Sequence, residues 1–540
     1  MEKSAITFLY LFTLCLLIAG CKKDEKTQKN EVTLHNQITL IFENPPSKWK
    51  VYRNKDSKEG PYTPAQCEIK YLDDNFIPLQ FFPDPEQTSD TLIVSTQRKI
   101  VEFNHSYKGL ESLSYIFHPG DTVIFTYNEN IPVAEVRNRK TKAFDVNYDL
   151  YKRKVIFADD FSSFVKLKTP FFFADFSNGF KGAKEKIFNQ SINMFAIEMK
   201  KEESILDSLI KKGLISSDLA NFYSTKLLYQ NKNVQLQSQI GLNTIKPLQQ
   251  TLTPADFSIQ LKYDKELGSI IEENILDSKN DSLLYFSHYQ GIINWLYYNY
   301  LSRKVGRVRS TNYVNNIATA GSNLPDYLSL CDSINSCRLL SQKAKNILHL
   351  KNIQNIIENY SIDESLQAFE KFKKDVADSA YINYVKNKYS LEDYSSSNSH
   401  DLRLISTNNE KISFDELLKK HKGKVIYLDF WGSYCAPCIR EFEHASKLKE
   451  IYKDKNLVQV YISAEPDKKR WKSACKKHRI ETESYYVENR YTSRQLESLN
   501  IKYFPHYLIY DQRGKLVNDF APRPSEDKLI KLLDRYMGSY

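Results

Sequence analysis

Glycine and proline are scarce in this chain, which has 16 glycines and 18 prolines among 540 residues. Together they reach about half of their usual share, so collagen-like, elastic and glycine-rich linker chains are excluded. Cysteine is also sparse, because eight cysteines are too few for a disulfide scaffold of this length. At roughly 150 residues per domain, the length predicts three to four domains.

The sequence lacks a strong excess of charge of either sign. It has 76 lysines and arginines against 66 aspartates and glutamates, a formal net charge of +10, and no basic run is interleaved with aromatic residues. A nucleic-acid-binding protein is expected to carry a denser basic stripe, so we predict no nucleic-acid partner. Hydrophobic residues make up 41% of the chain, which is enough apolar surface for sizeable cores.

Residues 1–20 have the pattern of a signal peptide. An apolar run from Ala5 to Ala19, about fifteen residues, is shorter than the roughly 20 residues of a membrane-spanning helix and precedes a charged segment. The run ends in Leu-Ile-Ala-Gly-Cys, residues 17–21, which resembles the lipobox of bacterial lipoproteins. The resemblance implies a lipid-anchored Cys21 and a polar tether over residues 21–31; a chance cysteine after Ala-Gly is the alternative.

The residues after Cys21 bear on the compartment. No aspartate follows Cys21 directly, and by the same resemblance this implies sorting to the outer membrane, on its periplasmic face or at the cell surface. The charged cluster Lys22–Lys26 resembles a surface-export tag, but as a solvated tether it needs no such role. Both locations belong to the cell envelope outside the cytoplasm, where disulfides persist.

Residues 32–150 are rich in short β-branched and aromatic runs. Turn signals such as Pro119-Gly120-Asp121 separate the runs, which predicts a small antiparallel β-sandwich-like domain. The runs are Ile38–Phe42, Trp49–Tyr52, Cys67–Leu72, Thr91–Ser95, Ile100–Phe103 and Thr122–Tyr127.

Residues 155–394 change to apolar residues spaced three and four apart, which predicts an α-helical domain. Its last segment, Ser365–Lys388, is predicted as one helix. The aromatic clusters Phe171–Phe173 and Trp295–Tyr298 fit core packing, with a ligand groove as the alternative. The serine-rich residues 395–400 are predicted to be a linker. The other helical segments are Glu185–Lys212, Asp218–Gln237, Ser282–Lys304 and Ser341–Tyr360.

Residues 401–540 alternate strand and helix signals. The apolar run Val425–Phe430 has the character of a buried central strand, and a Cys-x-x-Cys pair follows it at the start of a helical pattern. A helix N-terminus lowers the pKa of a thiol, so we predict that Cys435 is the nucleophile. Cys438, one turn on, is predicted to resolve the mixed disulfide. A zinc half-site is disfavoured because no second ligand pair has suitable spacing, and we predict no metal.

Asp429-Phe430-Trp431-Gly432, Cys435-Ala436-Pro437-Cys438 and Phe504-Pro505 together resemble the thioredoxin superfamily, specifically the membrane-tethered thiol:disulfide reductases of the TlpA/ResA type. The resemblance covers about the last quarter of the chain and implies an α/β thioredoxin fold for residues 401–540. It also implies protein thiols and disulfides as substrates, a thiol protein as electron donor, and no organic cofactor.

The same resemblance assigns roles to further residues. Asp429 would exchange a proton with Cys438, with a structural aspartate as the alternative. Glu441 would tune the pKa values of the thiols; the alternative is an acid that the helix dipole alone favours in the first turn. Pro505 would be a cis-proline beside the dithiol that, with Phe504 and Trp431, meets the substrate. His506 either contacts substrate or lies exposed in a loop, and the exposed loop is the favoured interpretation.

The remaining cysteines have no assigned chemistry. Cys331 and Cys337 are six residues apart and can pair only if the chain turns between them. Cys67 and Cys475 are predicted to be buried apolar residues. The leading hypothesis is a membrane-tethered thiol:disulfide oxidoreductase, with the reductase direction favoured. The alternative is a ligand- or partner-binding lipoprotein with an auxiliary redox domain.

Overall fold

The computed structural model describes residues 36–46, 67–107, 111–128, 131–157, 181–245, 279–303, 305–309, 323–391, 401–465, 468–501 and 503–538. The chain forms two compact units, Met1–Ile293 and Asn294–Tyr540, so the predicted helical range 155–394 contributes to both. The predicted signal peptide, tether and linker lie outside the described residues. So do Cys21, the predicted strand Trp49–Tyr52 and the cluster Phe171–Phe173.

The first unit begins with two four-stranded sheets, in the orders β4-β1-β7-β8 and β3-β2-β5-β6. Alternate residues of β1 point inward, and these residues share one core with Phe103 and Phe117 of the second sheet. The strands are β1 (Gln37–Glu43), β2 (Ile69–Leu72), β3 (Pro78–Phe81), β4 (Ser89–Ser95), β5 (Val101–Tyr107), β6 (Glu111–Phe117), β7 (Thr122–Asn128) and β8 (Ile131–Val136).

One strand pair departs from the antiparallel prediction. Strand β1 pairs with β4 in the antiparallel sense but with β7 in the parallel sense. A parallel pair needs a long crossover connection, and the whole second sheet separates β1 from β7 along the chain. The predicted runs among the described residues fall on β1, β2, β4, β5 and β7, whereas β3, β6, β8 and the pairing of the strands were not predicted.

The helices of the first unit follow β8. A second buried cluster joins Tyr148, Leu206, Leu219 and Tyr223 from three helices with Ile116 of β6. The helices are α1 (Tyr148–Phe157), α2 (Lys181–Lys211) and α3 (Ser217–Ile245), followed by a 3₁₀ turn (Asp281–Tyr285) and α4 (Ser287–Trp295), whose last residues begin the second unit.

The second unit opens with a helical segment. After a π turn (Leu296–Tyr300) and a short hairpin of β9 (Arg307–Arg309) and β10 (Asn323–Pro325), it contains α5 (Tyr327–Ser336), α6 (Gln342–Asn359), α7 (Ile362–Val376) and α8 (Ser379–Tyr389). The prediction of one helix over Ser365–Lys388 is wrong. Ala377 adopts a left-handed conformation with φ 50°, and the Asp378 side chain caps α8.

A seven-stranded sheet completes the second unit, in the order β12-β11-β15-β14-β13-β16-β17. All residues of β13 are buried, because neighbouring strands and helices cover it. The elements are β11 (Arg403–Ser406), β12 (Lys411–Ser413), α9 (Phe414–Lys420), β13 (Val425–Trp431), α10 (Ala436–Ile451), β14 (Leu457–Ser463), α11 (Lys468–His478), β15 (Ser484–Val487), α12 (Arg494–Ser498), β16 (His506–Tyr510), β17 (Leu516–Asn518) and α13 (Lys528–Gly538).

The predicted order of classes is confirmed: a sheet-rich N-terminal region, a helical middle and an α/β C-terminal region. Within the described part of the chain, no helix combines the length and the apolar character needed to cross a membrane.

Candidate active site

Strand β13 and helix α10 bring the two cysteines together. Cys435 is the N-cap of α10, and the backbone N–H of Cys438 donates to Cys435 Sγ at 3.2 Å. Pro437 lies in the first turn, where the absence of an N–H costs nothing. The two cysteines form a disulfide with a Cα–Cα distance of 5.3 Å. Backbone donors and the helix dipole therefore point at the sulfur of Cys435, which favours its thiolate form.

The two cysteine residues differ in exposure. Cys435 keeps 7% of its surface exposed, whereas Cys438 is 0% exposed. Of the two residues, only Cys435 has any exposed surface. The division into an attacking Cys435 and a resolving Cys438 stays a prediction.

An aromatic cluster lies beneath the disulfide. Trp431 has no exposed surface and makes an edge-to-face contact with Phe442 at 5.1 Å between ring centroids. Cys435, Cys438 and Cys475 belong to the same buried cluster. With no exposed surface, Trp431 supports the dithiol from below, and its predicted contact with a substrate stays a prediction.

The segment before β16 contains the predicted proline. The Phe504–Pro505 peptide bond is cis, which is the isomer that the resemblance implied. Phe504 is half-buried and packs against both the central core and the cluster under the disulfide.

The favoured interpretation of His506 as an exposed loop residue is wrong. His506 is the first residue of β16, pairs with Phe430 of β13 and is buried. Its Nε2 lies 2.8 Å from the carbonyl oxygen of Asp519. The preceding Phe-Pro suggested a loop, but pairing with the central strand begins immediately after it.

Asp429 is a buried carboxyl group in the middle of the sheet. It lies on β13, in register with Tyr461 of β14 and Tyr507 of β16, and is 2% exposed. Neither of its carboxyl oxygens has a hydrogen-bond partner among the described residues. Burial, followed by the negative charge of Glu441, raises the pKa of Asp429 well above its usual range. Asp429 therefore holds its proton to an unusually high pH.

Glu441 is fixed close to this carboxyl group. It is buried on α10 and accepts hydrogen bonds from the backbone N–H and the hydroxyl of Ser525, both at 3.0 Å. Cys438 and Glu441 are three residues apart and so lie on the same face of the helix. The face of α10 that carries the resolving cysteine is therefore also the face next to Asp429.

Sequence reasoning missed one charged residue near the dithiol. Glu465 follows β14 and is 0% exposed, and it accepts a hydrogen bond from the backbone N–H of Ser433 at 2.8 Å. The signal was available in principle, because β13 and β14 are parallel and their carboxyl ends meet at one edge of the sheet.

The other described cysteines do not join the site chemically. Cys331 and Cys337 are both free and buried, so the possible disulfide between them is absent. Cys67 and Cys475 are also buried, as predicted, and burial raises the pKa of each thiol to about 12. Within the described ranges, no group of three or more histidine, cysteine, aspartate or glutamate side chains could hold a metal ion.

Comparison with known proteins identifies the class of this domain. A family model described as thioredoxin-like matches residues 423–516, which span β13, the dithiol and the segment with Pro505. The C-terminal region is thus a thioredoxin-like domain, and the resemblance inferred from its motifs is confirmed.

The curated relatives of this domain are thiol-disulfide oxidoreductases. The thiol-disulfide oxidoreductase ResA of Bacillus thuringiensis subsp. konkukian is 23% identical over 118 residues, which cover 22% of this chain and 66% of the relative. The ResA of Halalkalibacterium halodurans is 41% identical over 51 residues, which cover 9% of this chain and 29% of the relative.

Solved structures align over the same quarter of the chain. The thioredoxin domain of a thiol-disulfide oxidoreductase from Bacteroides vulgatus is 24% identical and covers 26% of this chain and 95% of that chain, with a TM-score of 0.23. A thiol-disulfide oxidoreductase from Bacteroides fragilis is 23% identical and covers 25% of this chain and 98% of that chain, with a TM-score of 0.22.

Proposed function

We propose that this protein is a thiol:disulfide oxidoreductase that reduces disulfides of protein substrates through Cys435 and Cys438. The observation that carries the proposal is the pair of cysteines at the N-terminus of α10, of which only Cys435 reaches the surface. The named relatives of the thioredoxin-like domain support the same class of reaction.

The exchange runs in two displacement steps. The Cys435 thiolate attacks one substrate sulfur, the substrate S–S bond breaks, and the other sulfur leaves with the bonding electrons. Cys438 then loses its proton and attacks Cys435 Sγ, which releases the second substrate sulfur as a thiolate. The substrate gains two electrons, and the protein is left with the Cys435–Cys438 disulfide. A dithiol protein must supply two electrons to restore it.

In this proposal Asp429 exchanges a proton with Cys438, and its burial on β13 supports the role. A thiol with an ordinary pKa of about 8.5 is a poor nucleophile at neutral pH, so its attack needs a base. A base works best when its pKa lies near the operating pH, and burial raises the pKa of Asp429 toward that range. In the reverse direction, the same carboxyl group returns the proton to the Cys438 thiolate.

The substrate approaches the exposed edge of Cys435. Tyr434 beside it is 41% exposed, and so is Tyr503, two residues before Pro505. Phe504 packs against the buried cluster that contains both cysteines. This arrangement supports an extended protein substrate that meets the cis-proline segment while its disulfide lies against Cys435.

We also propose that Cys21 carries a lipid anchor and that the protein functions in the cell envelope, at the outer membrane. The pattern of residues 5–21 supports this location. In a bacterial host, the chain is expected to incorporate labelled palmitate and to fractionate with membranes, whereas a Cys21→Ala variant does neither. Equal label in both proteins would contradict the proposed anchor.

Reduction of insulin by the full chain tests the proposed activity. With dithiothreitol as electron source, we expect the chain to accelerate precipitation of the insulin B chain, and prior alkylation of the reduced protein to abolish the acceleration. A rate equal to that of dithiothreitol alone would overturn the proposal.

The direction of electron flow is tested by equilibration with glutathione. A reduction potential of the dithiol near the ~ −270 mV of thioredoxin supports a reductase, and one above roughly −150 mV contradicts it.

A further inference from the structure

A buried carboxylate supports the backbone that leads to Cys435. Glu465 Oε2 accepts the Ser433 N–H at 2.8 Å, and Glu465 has no exposed surface. The N–H of Cys435 in turn donates to the carbonyl oxygen of Gly432 at 2.9 Å. Ser433 thus belongs to the tight turn between β13 and α10. Two hydrogen bonds, one from the Ser433 N–H and one from the Cys435 N–H, fix this turn.

Burying an ionised side chain is costly unless the charge is compensated. The second carboxylate oxygen of Glu465 lies 3.8 Å from Arg470 Nε. The N–H of Glu465 donates to the Ser463 hydroxyl at 3.2 Å. Among the described residues Glu465 Oε1 accepts no hydrogen bond, so the hydrogen bond that the carboxylate accepts is the one from the Ser433 N–H.

A chain of contacts connects the residue before Glu465 to the helical segment of the second unit. Arg490, itself 9% exposed, donates to the carbonyl oxygen of Ala464, the residue before Glu465. Arg490 also lies over the ring of Tyr491, with 4.5 Å between Cζ and the ring centroid. Tyr491 makes an edge-to-face contact with Tyr389 of α8 at 4.7 Å. The Tyr389 hydroxyl donates to Glu358 Oε1 of α6 at 2.8 Å.

We propose that Glu465 is a positioning residue of the dithiol site, which fixes the turn that presents Cys435, and that the helical segment contributes to this support through Tyr389, Tyr491 and Arg490. The functional redox unit is then larger than the thioredoxin-like domain alone. This inference rests on the proposed thiol–disulfide chemistry of Cys435, but its test does not require a protein substrate.

The reactivity of Cys435 toward iodoacetamide reports how the turn presents the thiol. In the reduced full chain, we expect Glu465→Ala to lower the rate constant of Cys435 alkylation at pH 7 about tenfold and to alter its pH profile, because the Ser433 N–H loses its acceptor. Glu465→Gln keeps an acceptor oxygen and is expected to restore the rate to within about twofold. A Glu465→Gln rate as low as that of Glu465→Ala would overturn the positioning role.

A matched control separates positioning from general stability. Glu483 is a half-buried carboxylate at the start of β15 that contacts Lys420 and His421. Glu483→Gln is expected to lower the free energy of unfolding without changing the alkylation rate or its pH profile. If Glu483→Gln changes the alkylation rate as much as Glu465→Ala does, the effect is not specific to the turn and the proposal fails.

Two tyrosines of α8, both almost fully buried, allow a test of the proposed contribution of the helical segment. Tyr389→Leu removes the ring that contacts Tyr491 and is expected to lower the alkylation rate about threefold. Tyr381→Leu makes the same change in the same helix and is expected to leave the rate unchanged. Equal rates in both folded variants would overturn the contribution of the helical segment. If the wild type fails to reduce insulin while these alkylation differences hold, only the proposed activity fails.

Discussion

A Cys438→Ser variant is expected to lose insulin turnover and to accumulate as a covalent adduct with its substrate. Cys435 remains able to attack a substrate disulfide, but no second sulfur is available to displace the bound substrate. The mixed disulfide thus becomes the end of the reaction. Non-reducing electrophoresis and mass spectrometry of the full chain mixed with insulin should show one insulin chain per protein molecule.

The Cys435→Ser variant tests which of the two thiols attacks the substrate. Cys435→Ser leaves Cys438 as the one remaining cysteine of the active-site pair. Because Cys438 has no exposed surface, neither turnover nor an adduct is expected. Cys475→Ala is the matched control, because Cys475 is an equally buried thiol of the same cluster and should leave turnover unchanged. An adduct that forms through Cys438 in the Cys435→Ser variant would contradict the assignment of the attacking thiol.

The central part of this site could be predicted because its signals are local. The continuous apolar run of β13 and the two cysteines three residues apart define a strand, a turn and a helix start. The structure places these elements as expected, with β13 over Val425–Trp431 and Cys435 as N-cap.

The errors occur where tertiary contacts override local patterns. Apolar spacing continues across Ala377, but the left-handed conformation there and the Asp378 cap divide the predicted helix. Glu465 looks like an ordinary surface glutamate in the sequence. Its burial makes sense only once β13 and β14 lie side by side and the Ser433 N–H is brought within reach.

The role of Asp429 was only partly predictable from the sequence. Its place at the end of an apolar strand was visible in the sequence, and a proton-transfer role followed from the resemblance. The absence of any described hydrogen-bond partner and the nearby charge of Glu441 were not visible. Burial and the nearby charge of Glu441 are what raise its pKa.

Asp429→Asn is expected to change how the stability of the oxidised protein depends on pH. Because the pKa of Asp429 is raised in the folded state, the folded protein keeps a proton that the unfolded chain releases above about pH 4. The free energy of unfolding should therefore fall as pH rises, by up to ~1.4 kcal/mol per pH unit, until the folded-state pKa is passed. Asparagine has no proton to release, so the variant should lack this component.

Urea unfolding at pH 5, 6, 7 and 8, with the Cys435–Cys438 disulfide intact, measures this slope. Glu443→Gln is the control: Glu443 is exposed on the same helix, and the side chain of Lys447 lowers its pKa. Its titration therefore ends below this pH window, and its removal should leave the wild-type slope in place. Equal slopes in the wild type and Asp429→Asn would show that Asp429 titrates normally.

The same Asp429→Asn variant should also lose most of its turnover at neutral pH. Proton transfer by a positioned side chain contributes about 10²–10⁴-fold, so insulin reduction at pH 7 is expected to fall by roughly 100-fold or more. The loss should arise after the first attack, because Cys435 does not depend on Asp429 for its own activation at the helix N-terminus. Mixed disulfide with insulin is thus expected to accumulate transiently in the variant. Raising the pH toward 9 should partly restore turnover, since Cys438 then ionises without a base; a defect that is independent of pH and shows no mixed disulfide would rule out this role for Asp429.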